Sequence, residues 1–441
     1  MTLRIGCGSG GAPDRVAPAL ALAERGELDF LCFESLAERT LAMGHVAKRS
    51  GRAPGHCPKL EARMRAVLPA CAAQGVRIVT NMGGADPRAA GETTARIARE
   101  LGLRLRVAVI EGDDVLPLVG PETRLPETGE RVGDFGPPVA ANAYIGHEPL
   151  VEALDGGADV VIAGRAADPS LFLAPFVHAN GVAPDDWARL GAGTLAGHLL
   201  ECSTQVTGGY FADPGVKDVP GIEDLGYPIA EMSPDGSAVI TKLPGTGGLV
   251  APLTVKEQML YEVHDPAAYL TPDVTADFST TRIEAVGPDR VRVSGAGGRA
   301  RPQTLKALVA FDGGYLAEGE ISWAGPGAQA RGELAREIVR RRMVERFGFD
   351  GPLRLELIGV ASLHLDGGRA EQGSQDVRLR GALRSHDRAW AERLLEEIEG
   401  LWMAGPAGGG GFRGRITESV FTRAIHIDRA LVPTRVNWIA P

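Results

Sequence analysis

Apolar positions in the first two hundred residues come as short runs separated by longer stretches with helical spacing. Residues 3–7, 29–33, 77–81, 105–110 and 159–163 read as strands. Between them, residues 14–25 closed by Gly26, residues 60–74 and residues 89–101 followed by Gly102 read as helices. In residues 60–74, Leu60, Met64, Val67, Leu68 and Cys71 share one face. Strands alternating with helices make βαβ units, so the expected fold class is α/β, a mainly parallel sheet with helices on both faces. The pattern changes after residue 203. Residues 204–252 are rich in Gly and Pro, and residues 283–311 alternate as antiparallel strands do. Helices are expected at 332–346 and 386–402, and strands at 353–358 and 376–379. The expected domains are therefore 1–203, an α/β domain with Gly-rich βα loops, and 204–441, an α+β domain.

Composition narrows the function classes. Hydrophobic residues make up 44% and charged residues 23% of 441, which excludes a disordered or collagen-like chain. The net charge of −9, with no basic block, argues against nucleic-acid binding. No apolar run reaches the length of a membrane span, and residues 1–15 lack a signal pattern. The cysteines, Cys7, Cys32, Cys57, Cys71 and Cys202, are odd in number and have no zinc spacing. A reduced, cytoplasmic setting is expected, with no structural zinc and no metal-ligating residues among the candidates, a carboxylate-bound magnesium staying open.

Three loops carry the chemistry of the first domain. Gly8, Ser9, Gly10 and Gly11 follow the first strand, and small residues before a helix suit a phosphate or carboxylate. The alternative is a tight turn with close helix–sheet packing. The Rossmann fingerprint fits loosely, with Glu34 as the acid after the second strand. Asn81, Gly83 and Gly84 precede Asp86-Pro87; Gly164 and Arg165 precede Asp168-Pro169. Asp86 and Asp168 are also plain helix caps by type and position. If the strands are parallel, all three loops share the carboxyl edge of the sheet, where open α/β folds bind ligands. An anionic small molecule is the expected ligand.

Farther along, His198 and Glu201 stand three apart on one helical face, and Tyr210 follows; all are acid/base-capable types. A buried His with a surface Glu is the bland account of the pair. Lys242 precedes a second glycine run, Gly245, Thr246, Gly247 and Gly248, and suits a phosphate or a developing enolate, or is simply a solvated surface lysine. Residues 261–273, with two tyrosines, a His and Pro-linked turns, read as an ordered binding or interface segment. No Gly-x-Ser-x-Gly elbow or His-Glu-x-x-His motif occurs.

One combination of these segments is specific. Phe33-Glu34-Ser35-Leu36-Ala37-Glu38-Arg39-Thr40, residues 81–87, Asn142-Ala143-Tyr144-Ile145-Gly146, Val161-Ile162-Ala163-Gly164-Arg165 and Asp168-Pro169-Ser170-Leu171 come first. Gly197-His198-Leu199-Leu200-Glu201-Cys202, Gln205 to Tyr210, Thr241-Lys242 with residues 245–248, residues 261–278 and Gly319-Glu320-Ile321-Ser322 follow. In this order, over nearly the whole chain, they resemble the acyclic terpene utilisation (AtuA-type) family. The resemblance implies a place in bacterial breakdown of acyclic terpenes and branched acids, a pathway run on CoA thioesters. Members often have a further small domain, fused or encoded separately, which leaves open whether a separate small subunit completes this chain; a homo-oligomer is expected.

The favoured reading is a cytoplasmic, lyase- or hydratase-like enzyme acting on a CoA thioester or related carboxylate, with no cofactor beyond that substrate. Lys242, Glu201, Tyr210 and His198 are its expected catalytic groups. The glycine loops, Asn81, Arg165 and Asp168 are its expected ligand contacts. An NAD(P)-dependent oxidoreductase and a non-catalytic acyl-CoA-binding scaffold are the alternatives.

Overall fold

The computed structural model describes residues 2–363 and 373–440. The chain forms two compact units, Met1–Ala310 with Thr422–Pro441, and Phe311–Phe421.

The first unit is built on one mixed sheet. Its central strands are β1 (Leu3–Gly10), β2 (Phe30–Glu34), β3 (Arg77–Thr80), β4 (Val107–Glu111) and β6 (Val160–Ala163), with β5 (Pro138–Ala143) lying apart from this sheet. They run parallel in the order β1-β2-β3-β6-β4, so the five expected strands share one parallel core. β2 and β6 are buried along their whole length, as strands covered on both faces must be. Helices α1 (Ala17–Arg25), α3 (Leu60–Gln74) and α4 (Pro87–Glu100) pack on one another as one layer; α2 (Glu38–Arg49) packs against β5. Helices α5 (Glu148–Asp155), α6 (Ser170–Asn180) and α7 (Trp187–Glu201) form the second layer.

The sheet does not end at residue 203. β7 (Pro228–Met232) pairs antiparallel with β1, and β8 (Ala238–Lys242) with β7. Beyond β9 (Tyr269–Leu270) and β10 (Thr275–Asp277), strands β11 (Arg282–Gly287) and β12 (Arg290–Ser294) extend the same edge. On the opposite edge the C-terminal strand Arg435–Ile439 pairs antiparallel with β4. The expected boundary at 203/204 thus falls inside the first unit. The alternation read at 283–311 is real, but its first two strands satisfy their backbone groups by pairing with each other and with β8, in the antiparallel extension of the first unit's sheet. The sheet as a whole is mixed, with ten strands. A small sheet of β9, β10 and β13 (Gly297–Arg299) packs on α7.

The second unit is an antiparallel sheet carrying two long helices, Ala328–Arg340 and Arg388–Glu399. In the sheet, Leu353–Ile358, Asp376–Ser385, the later part of β14 (Thr304–Ala324) and the earlier part of Gly410–Asp428 lie side by side. Trp323, Ile321, Leu379, Ala391 and Leu394 sit in its core. Among the described residues no helix is long and apolar enough to cross a membrane.

Candidate functional site

A cavity of about 700 Å³ opens at the carboxyl ends of β1, β2 and β6, within the first unit. Its wall is made by Gly10–Pro13 after β1, Glu34 and residues 36–38 after β2, Tyr144 after β5, and Arg165 with Ala167–Pro169 after β6. Glu201 and Cys202 at the end of α7, Tyr261, Glu262, residues 269–272, Lys306 and His426 complete it. Ligands of open α/β sheets gather at this edge because the strands' loops converge there.

Local sequence places each wall group. The first loop departs from its expected role at Gly8, where β1 has a register shift between Cys7 and Ser9. A Cβ on Gly8 would fall 2.4 Å from the Phe33 ring, so this glycine serves packing and does not face the cavity. Ser9 is fully buried, its hydroxyl donating to the Glu34 carbonyl at 2.6 Å. Gly10 reaches the cavity, and a Cβ there would lie 2.5 Å from the Glu201 carbonyl oxygen. That glycine lets the end of α7 touch the end of β1, which delivers Glu201 to the wall. The helix expected from residue 14 begins at Ala17, because the Asp14 carboxylate turns back to accept the Gly10 N–H at 2.7 Å.

The other two loops divide in the same way. Asp86 caps α4, accepting the Ala89 N–H at 3.2 Å, and Gly83 packs under the Ala163 carbonyl, so neither faces the cavity. Gly84, with φ +54, packs against the Gly55 carbonyl. Asn81 is buried behind the wall, donating to Glu34 at 3.0 Å and accepting the Ser35 N–H at 2.8 Å. Gly164 rests on the Asp113 carboxylate, which also accepts the Arg165 N–H at 2.8 Å. Asp168 is not a cap: its carboxylate pairs with the Arg165 guanidinium. That guanidinium also donates to the carbonyls of Leu36 and Ala166 and stacks 4.4 Å from the Tyr144 ring centroid.

Helix α7 carries the acid/base pair. Asp186 caps it, accepting the Arg189 N–H at 3.1 Å, and its nearly continuous burial seats its last turn in the interior. His198 Nδ1 lies 2.8 Å from Glu201 Oε1, so the three-residue spacing does bring them together. Side chains of His198 and Glu201 are only 1% and 8% exposed. His198 is enclosed by Tyr269 and Phe278, with ring centroids at 5.2 and 5.9 Å. Burial pushes His198 down to about 4 and Glu201 well above the usual carboxylate range. His198 is therefore neutral near pH 7, and burial favours the protonated form of Glu201. His198 Nε2 and Glu201 Oε2 are buried without a hydrogen-bond partner. Glu34 is pushed up to about 8 by burial and by the Asp168 carboxylate, against the pull of Arg165.

Two expected catalytic residues are not brought to the cavity. Lys242 is buried in an ion pair with Asp289 at 3.0 Å and donates to the Thr246 carbonyl at 2.8 Å. Gly247 and Gly248 hydrogen-bond to Asp224 and Pro220, so residues 245–248 form a closed structural loop, not an anion nest. Tyr210 is 89% exposed, with its ring edge-on to Tyr261 at 6.3 Å. It stands beside a cavity residue without lining the cavity itself.

The segment 261–273 contributes Tyr261, Glu262 and residues 269–272, as its density of tyrosines and turns suggested. Glu38 fell within a segment of the resemblance but was given no role, and Lys306 and His426 had no signal, because they reach the site only through the fold. Five non-glycine residues have a positive φ among those described; Glu262 (58°) lines the cavity, and Ser203 (50°) and Tyr210 (62°) adjoin residues that do. Strain of this kind gathers at functional sites.

A second polar cluster lies elsewhere in the unit. His147, Glu148 and Asp273 place ligand-type atoms within 4.8 Å of one another. Asp273 accepts from both nitrogens His147 N (2.8 Å) and Nδ1 (2.9 Å) and from the Ser170 hydroxyl, while Glu148 pairs with Arg301. These acceptors are already used, so the cluster is a closed hydrogen-bonded lock.

A family model described as "Acyclic terpene utilisation family protein AtuA" matches residues 3–438. No curated protein and no solved structure matches the chain. The match spans both units and every wall segment of the cavity, and the chain belongs to the acyclic terpene utilisation family AtuA, a membership that points to a role in acyclic terpene utilisation.

Proposed function

We propose that the chain is a cytoplasmic acid/base enzyme of acyclic terpene or branched-acid catabolism, acting on a CoA thioester or related carboxylate by hydration, dehydration or C–C lysis. The observation that carries this reading is Glu201: a buried carboxyl group on the cavity wall, hydrogen-bonded to a neutral His198, with its second oxygen unpartnered. Three carboxyl groups in one cavity are held in different states. Burial raises both Glu201 and Glu34 and favours their protonated, proton-donating form. Burial raises Asp168 as well, but the touching Arg165 guanidinium pulls it back toward the charged form, and its side chain is the most exposed of the three. Neighbouring carboxyl groups driven apart in this way are how one site supplies both an acid and a base.

In the dehydration direction Asp168 takes the proton from the carbon next to the carbonyl. Glu201 gives its proton to the departing hydroxyl, a C–O bond breaks, and water leaves with a C=C bond in its place. Hydration is the reverse. The nicotinamide alternative finds less support, because Glu34 Oε1 already accepts from the Leu36 N–H and Asn81, which leaves a ribose only the second carboxyl oxygen.

The test is turnover. Branched hydroxyacyl- and enoyl-CoA thioesters are incubated with the purified chain and followed by mass spectrometry for loss or gain of water. Glu201→Gln is expected to lower turnover about 100- to 10,000-fold at an unchanged melting temperature. Thioester binding with no turnover of any panel member would favour the scaffold, and a shift in NADH fluorescence would favour the oxidoreductase.

A further inference from the structure

The cavity is unevenly charged from its buried end to its exposed end. Glu34 and Glu201 are buried, with Asp168 beside them. Lys306 and His426, the basic side chains of the wall besides Arg165, lie at the exposed end together with Glu38 and Glu262. The buried end has one cation, Arg165, and all of it is committed, to Asp168 and to the carbonyls of Leu36 and Ala166. Lys306 is different. Its side chain is 48% exposed, its ammonium lies 4.9 Å from the Tyr144 ring centroid, and its acidic neighbour Glu38 is 3.6 Å away, longer than a direct hydrogen bond.

An anion at the buried end would meet carboxyl groups and no free cation, and would lose its water without replacement. An uncharged hydroxyl suits the same place. Glu201 Oε2 is buried, belongs to a wall residue and has no partner in the protein. A buried polar atom left unpaired is expensive, and a ligand hydroxyl satisfies it.

We propose that the ligand is a hydroxylated carboxylic acid, or its anionic conjugate, bound with its negative group at Lys306 and His426 and its uncharged hydroxyl at Glu201. This rests on the cavity being the active site, and it reverses the expected placement of an anion on the three βα loops.

The experiment is calorimetric binding to the full chain at low ionic strength. The probes are a medium-chain ω-hydroxy fatty acid, the unsubstituted fatty acid and the diacid of equal length. The hydroxy acid should bind most tightly, and the diacid about 100-fold more weakly near neutral pH, since its second carboxylate would give up its water where Arg165 is already committed. Lys306→Gln should weaken the hydroxy acid about 10-fold and remove most of its salt dependence. Glu201→Ala should erase the preference for the hydroxy acid over the plain fatty acid, with Glu201→Gln as the variant of matched shape. Equal binding of diacid and hydroxy acid, indifference to Lys306→Gln, or no binding of any probe overturns the proposal. Its failure is distinct from that of the catalytic reading: a hydroxyl preference without thioester turnover removes only the latter, and turnover without the preference removes only the former.

Discussion

Glu34→Gln should make the protein more stable in alkali while changing little in mild acid. Glu34 titrates at about 8 in the folded chain against an ordinary 4.5. Its carboxyl group is 6% exposed, so solvent does little to screen the effect. A carboxyl group raised on folding contributes its full stability below the unfolded value, and that contribution is lost as pH rises through the folded value. At about 1.4 kcal/mol per pH unit the loss amounts to roughly 5 kcal/mol between about pH 4.5 and pH 8. The amide cannot ionise and escapes it. Its oxygen can keep the hydrogen bonds from the Leu36 N–H at 2.5 Å and Asn81 at 3.0 Å. Its NH₂ group replaces the second carboxyl oxygen, for which about 1 kcal/mol is set aside. The variant should therefore gain roughly 4 kcal/mol over the parent between about pH 5 and about pH 9. Urea unfolding followed by circular dichroism at a series of pH values measures this directly. Parallel stability curves for parent and variant would show that Glu34 is ionised at an ordinary pKa and would refute the argument, taking with it a neutral acid at that position.

Asp273→Ala should cost about 3–5 kcal/mol by calorimetry, because it strands a buried imidazole and the Ser170 hydroxyl together; a loss below about 1 kcal/mol would contradict the closed network. Since His147 is raised and Asp273 lowered by their pairing, that pair should stabilise the fold between the two titrations and weaken it on either side, which stability measured from acid to mild alkali will show. Gly10→Ala should lower both stability, by about 1–3 kcal/mol, and turnover, as the new Cβ displaces the end of α7 that bears Glu201; unchanged turnover would mean the close approach is not needed. Lys242→Met should reduce the melting temperature while sparing turnover per folded molecule, the opposite result marking Lys242 as a group of the site.

Local pattern carried the central architecture a long way. Five short apolar runs with helices between them specify parallel strands, because only a strand covered on both faces can be apolar at consecutive positions. The pair His198 and Glu201 was legible for a similar reason: three residues on a helix is a fixed geometry that needs no tertiary information. Helix α2 was missed because only Leu41 and Ala42 are buried in it, too few to mark a face. The role of each polar loop residue was not legible either. Gly8 and Gly10 are the same residue type two positions apart, yet one lies under Phe33 and the other at the cavity, a difference set by a bulge and by how closely α7 approaches. Lys242 reads as a free cation until Asp289, distant in sequence, is folded against it. The charge of the cavity and the reach of Lys306 and His426 into it depend on elements separated by hundreds of residues. The sequence by itself determined the five central strands, the face of residues 60–74 and the pairing of His198 with Glu201, because these follow from periodicity along a single element. Which polar groups are buried, paired or left facing a ligand was decided only by the tertiary structure, since desolvation and pairing are set by neighbours that the chain order does not reveal.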